Sequence, residues 1–120
     1  MSPLAGQDEH ETLETLFRKV DLSFARNLLL ECFHASGPGR PPRNPMGVFR
    51  AHIVMRMKGV RSLREMTRLL DFDPRLRKLC LIKEGEAGYS RSVLSRFTRR
   101  VGEDRLNKII GMVEQDYDAK

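Results

Sequence analysis

The chain predicts an all-α fold, a compact bundle of about seven helices that includes a helix-turn-helix-like unit. Three observations predict it. Leu, Met, Arg, Glu and Lys are abundant, and alternating runs of Val, Ile, Thr and aromatic residues are absent. Apolar residues recur at i, i+3, i+4 and i+7 in one segment after another. Asn-Pro, Asp-Pro and Ser-x-x-Glu signals head those segments, where free backbone N–H groups need a side-chain acceptor. At 120 residues the chain can bury one modest core and not two.

Residues 1–10 are expected to be a disordered lead-in and residues 11–118 a single helical domain. Leu13, Leu16, Phe17 and Val20 mark one face of a first helix. Asp21 is expected to cap a second, from 22 to about 34, in which Phe24, Leu28 and Cys32 interleave with Ala25, Leu29 and Phe33. Being apolar over much of its girth, that helix is expected to be central. Residues 35–44, ASGPGRPPRN, are a Gly/Pro loop that cannot continue a helix.

Asn44-Pro45 opens a third helix to about Lys58, with Met46, Phe49, Ile53 and Met57 inward and Gly59 as its stop. Ser62 and Glu65 form a capping box for a fourth helix reaching about Leu70. Its Leu63, Met66, Leu69 and Leu70 face inward, and Arg61, Arg64 and Arg68 share the outer side. Asp73-Pro74 starts a short helix to about Leu81, followed by a loop over 82–89. Ser90 caps a sixth helix that Gly102 ends, and Leu106, Ile109, Ile110, Val113 and Tyr117 mark the last. The expected core contains Phe97, Leu94, Met66, Ile53, Phe49 and Leu28.

The formal net charge is +6, and its distribution says more than its sum. Residues 1–34 carry three basic side chains against six acidic, residues 35–110 eighteen against seven, and residues 111–120 one against three. A basic middle of that kind attracts polyanions. The sign segregation is sharpest in residues 90–101, SRSVLSRFTRRV. At ~100° per residue, Val93, Leu94, Phe97 and Val101 gather on one arc. Arg91, Ser92, Ser95, Arg96, Arg99 and Arg100 fill the other, with no acidic residue among them. A helix kept only for solubility mixes signs, because like charges one turn apart repel. Guanidinium forks and hydroxyls in a row suit phosphate oxygens and groove edges instead. The expected partner is double-stranded DNA, with these six residues as the leading contact and Arg61, Arg64 and Arg68 as a second strip.

The helices headed by Ser62 and Ser90, with residues 73–81 between them, make the expected helix-turn-helix-like unit. Their spacing is longer than the three-to-four-residue turn of the standard motif. Residues 39–43, GRPPR, read equally as an arm for a minor groove or as a plain connecting loop. A rival reading from another class is a protein-interaction module whose basic face docks an acidic partner or a second copy as a homodimer.

Other chemistries are not supported. Cys32 and Cys80 fit no CxxC pair, and Cys32, His34, His52 and Cys80 match no zinc spacing, so no metal and no cofactor are expected. There is no GxSxG, HExxH or P-loop, and Asp71 and Asp73 sit at helix ends, so neither catalytic residues nor a small-molecule substrate are expected. The first residues have neither the basic start nor the apolar core of a secretory signal, and no apolar run nears the ~20 residues that span a bilayer. The expectation is a cytoplasmic, nucleoid-associated protein with no membrane partner.

The order of signals from Gly39 onward resembles the N-terminal domain of insertion-sequence transposases of the InsH type. The GRP loop, the Asn-Pro helix start, Ser62-Leu63-Arg64-Glu65-Met66 and the run from Ser92 to Arg100 carry the resemblance, which covers about residues 16–110. Val93, Thr98 and Tyr89 depart from the residues usual there, while Arg96, Phe97 and Arg100 keep to them. The resemblance implies a module that binds terminal inverted repeats and precedes a nuclease domain bearing an acidic triad. That triad has no counterpart in this chain, which is therefore not expected to cut DNA.

Overall fold

The structure, a computed structural model, describes residues 8–35 and 44–119. Over these the chain forms seven helices and no strand: α1 (Asp8–Lys19), α2 (Ser23–Ala35), α3 (Pro45–Lys58), α4 (Leu63–Phe72), α5 (Pro74–Leu79), α6 (Arg91–Val101) and α7 (Glu103–Ala119). The all-α expectation holds. α1 starts at Asp8, inside the stretch expected to be a lead-in.

Four helix heads use the acceptor that their sequence supplies. Asn44 Oδ1 accepts from Gly47 N at 3.2 Å for α3, and Ser62 Oγ from Glu65 N at 3.3 Å for α4. Asp73 Oδ1 accepts from Arg75 N (3.0 Å) and Leu76 N (3.2 Å) for α5, and Ser90 Oγ from Val93 N (3.2 Å) for α6. Asp21 acts one position early. Its carboxylate takes Ser23 N at 2.9 Å, while the Leu22 carbonyl accepts the first helical bond of α2 from Arg26 N.

Two helices end in the same paired bond pattern, with different residues at the turn. After α3, Gly59 N and Val60 N bond back to Arg56 and Met55, with Gly59 at φ 72°. After α5, Leu81 N and Ile82 N bond back to Lys78 and Arg77, and Leu81 takes φ 60°, where a side chain is strained. α5 thus closes at Leu79 instead of the expected Leu81. Side chains from elsewhere hold this turn: Arg50 Nη1 donates to the Leu79 carbonyl (3.1 Å), Tyr89 Oη to Cys80 (2.7 Å) and Asn44 Nδ2 to Leu81 (3.2 Å).

The centre of the bundle corrects the sequence reading. α2 was expected to be central, yet among its described side chains only Ala25, Leu29 and Cys32, on its face toward α6, are buried, while Leu28 and Leu30 are exposed. Three consecutive leucines span about 200° of a helix, and one neighbouring helix cannot cover them all. Leu28 therefore leaves the expected core. α3 takes the inner place: Val48, Phe49, Ala51, Ile53 and Val54 are all fully buried, covered by α1 and α6. On α4 only Met66 and Leu70 are buried, with Leu63 and Leu69 half-covered, and Met46 of α3 is likewise half-covered.

α6 packs against α2, α3, α4 and α7 through Leu94, Phe97 and Val101. The His52 ring of α3 stacks on Phe97 with centroids 5.2 Å apart and planes 19° from parallel. Burial pushes the imidazole down to about 4, against the opposing pull of its bond to the Leu94 carbonyl. The ring is therefore neutral at pH 7, and the Nε2 that lies 3.2 Å from the Leu94 carbonyl carries the hydrogen and donates it.

Two outcomes test this packing. A methyl group added at Gly47 would overlap the Tyr89 hydroxyl and the Cys80 carbonyl. Gly47→Ala is expected to destabilise by about 2–3 kcal/mol, as overpacking does, and an unchanged urea midpoint would contradict the close approach. His52 titrates near 6.5 unfolded and near 4 folded. Within that window the unfolded chain binds a proton that the fold refuses. Stability therefore falls as pH drops from about 6.5 to about 4, by about 1.4 kcal/mol per unit. Urea midpoints of wild type and His52→Gln at pH 7, 5.5 and 4.5 should show a shallower acid limb in the variant. Parallel limbs would mean that His52 is not held neutral by burial.

Candidate nucleic-acid interface

The opposite side of α6 faces outward. Arg91, Ser92, Arg96 and Arg99 are exposed, and Ser95 is half-buried. Arg91, Ser92, Ser95 and Arg99 line one open groove together with Leu63 at the head of α4. Arg61 and Arg64 are exposed beside it, Arg64 standing one step round α4 from Leu63. Two members of the expected set are placed differently. Arg100, expected on the open arc, is half-buried, because at ~100° per residue it falls beside the half-covered Val93 at the margin of the packed face. Arg68 is exposed but opens onto a separate groove on the far flank of α4.

The entry into α6 is tightly built. The Arg77 guanidinium donates to the carbonyls of Leu70 (2.9 Å), Lys83 (3.3 Å) and Glu86, which fastens the loop before α6 to the end of α4. Tyr89, buried, anchors the last residue before the Ser90 cap. Thr67 and Asp71 of α4 border the groove beside Ser90–Ser92, so a carboxylate stands near the head of α6. The arginine-rich character is purest one turn further on, at Arg96 and Arg99.

The basic middle of the chain is thus not one population. Arg50 and Arg77 hold backbone carbonyls, and burial pushes the Arg50 guanidinium down from its usual value while it lies 4.7 Å over the Phe17 ring. Arg56 of α3 bonds Asn107 and pairs with Glu114 of α7 at 3.7 Å. Arg105 donates to the Cys32 sulfur at 2.9 Å. Sequence reasoning missed these roles. The partners of Arg50, Arg56 and Arg105 lie 29 or more residues away, and no local pattern marks them. Only for Arg77, six to nine residues from its acceptors, was there a nearby hint in the glycine-containing loop.

Cys32 and Cys80 are both free and buried, and burial raises the Cys80 thiol to about 12, so it stays protonated. Among the described residues no three His, Cys, Asp or Glu side chains converge as a metal site. No described helix is long and apolar enough to cross a membrane. The GRPPR segment lies outside the described residues.

Comparison with known families finds one model, the transposase domain (DUF772), which matches residues 4–100. No curated protein and no solved structure matches the chain. The match runs from ahead of α1 to the penultimate residue of α6 and so takes in the whole arginine-bearing groove. The chain belongs to the transposase domain family.

Proposed function

We propose that this domain binds duplex DNA with α6 laid against it, and that the DNA it selects is the terminal inverted repeat of a transposable element. The observation that carries the reading is the acid-free outer strip of α6: Arg91, Ser92, Arg96 and Arg99 exposed on a helix whose other side is locked in the core. Arginine at such positions grips phosphates in pairs and reads guanine edges, and serine reaches either. Family membership supports the same reading.

In this proposal α4, α5 and α6 form the helix-turn-helix-like unit, with α6 as the recognition helix and Arg61 and Arg64 touching the flanking backbone. Ser95 lines the groove, Arg100 stands at its margin, and Arg68 lies apart on the other flank of α4. The proposed role is recognition, with strand cleavage supplied by residues outside this sequence. Such a protein works among the DNA of the nucleoid.

Each neutralised phosphate releases a condensed counterion. With about five phosphates contacted, log K against log salt is expected to slope at about −4.5. An affinity that stays flat between low and physiological salt rules out phosphate contact. Position is tested separately from charge. Arg96→Ala with Arg99→Ala is expected to weaken duplex binding by about tenfold or more with unchanged helical content. Lys78→Ala with Lys108→Ala removes equal charge from exposed sites elsewhere and should do much less. Equal losses in a mobility-shift titration would reduce the strip to a diffuse field.

A further inference from the structure

Phe72 is the most exposed large apolar side chain among the described residues, at 80%. Phe49 and Phe97, by contrast, are almost wholly buried. The ring is not on a loose end. Asp73 closes α4 through its N–H to the Leu69 carbonyl (2.8 Å) and heads α5 through its carboxylate, so a rigid corner presents the ring. Beside it runs a groove floored by Leu69 and Pro74 and walled by Glu65, Arg68 and Asp73.

This face does not suit nucleic acid. Glu65 and Asp73 line the groove beside the ring and repel phosphate, and the face lies round α4 from the Leu63 and Thr67 side that meets α6. An apolar ring rimmed by both charge signs is the composition of a protein contact. The rim is also self-complementary. Two copies of α4 laid antiparallel about a two-fold axis near Arg68 and Leu69 bring each Phe72 ring over Leu69 and the Glu65 methylenes of the second copy. Each Arg68 then comes within one turn of Glu65 of the second copy, and the contact repeats by symmetry.

We propose that this domain self-associates as a two-fold dimer through the Phe72 face of α4, with Glu65–Arg68 pairs between copies. The contact is small, so association is weak. It does not depend on the nucleic-acid reading.

Sedimentation and light scattering across a concentration series test it. Wild type should pass from monomer to dimer, and Phe72→Ser should weaken association by about tenfold or more. Because the ring is exposed, that variant should keep its helical signal and melting temperature. Glu65→Arg alone and Arg68→Glu alone each set like charges against one another and should stay monomeric. An equimolar mixture of those two variants restores both pairs and should dimerise. Wild type that remains monomeric throughout overturns the proposal, as does undiminished association of Phe72→Ser or a mixture that fails to recover. Salt-dependent duplex binding, measured on the same samples, reports on the nucleic-acid reading alone. Phe72→Ser should leave it unchanged at monomer concentrations.

Discussion

The fold depends on the packed face of α6. Leu94, Phe97 and Val101 are the part of this helix that α2, α3, α4 and α7 close around, and the His52 ring lies flat on Phe97 while bonding the Leu94 carbonyl. A helix held from several directions cannot roll. Its remaining surface, the arginine strip, is therefore fixed in orientation by the core and not by any contact of its own. Exposed long side chains normally lose much rotamer freedom when they bind. A rigid backbone beneath them keeps that loss to the side chains alone.

Electrostatics divides the cations by burial. Arg50 and Arg77 act as donors to backbone carbonyls that the turn after α5 and the loop before α6 leave without helical partners. A guanidinium carries five donors in a rigid fork, so Arg77 can tie the end of α4 and two points of the following loop together at once. The consequence is that the excess positive charge of the chain overstates what faces solvent as a recognition surface. Arg91, Arg96 and Arg99, with Arg61 and Arg64 beside them, are the exposed fraction near the groove.

The same corner that delivers the chain into α6 also explains two conformational extremes. Gly47 lets α3 approach Tyr89 and the end of α5 without a side chain between them. Leu81 accepts a left-handed backbone because Asn44, Arg50 and Tyr89 hold the carbonyls around it. Asn44 serves twice, as the cap of α3 and as a tie to the turn after α5, so one residue joins a local signal to a long-range one.

Local physics made much of this protein legible in its residues. The caps at Asn44, Ser62, Asp73 and Ser90, the number of helices and the two-sided character of α6 follow from bonds and spacings within a few residues. Tertiary structure alone decided the rest. Whether α2 or α3 would be enclosed depended on how many neighbours each helix received, which apolar content does not reveal, and so Leu28 came out exposed and Val54 buried. Whether an arginine would serve the fold or face solvent depended on carbonyls distant in sequence, as at Arg50, or on how far the packed face reached round a helix, as at Arg100. Periodicity determines which residues share a face, and only the packing of helices against one another determines which face meets water.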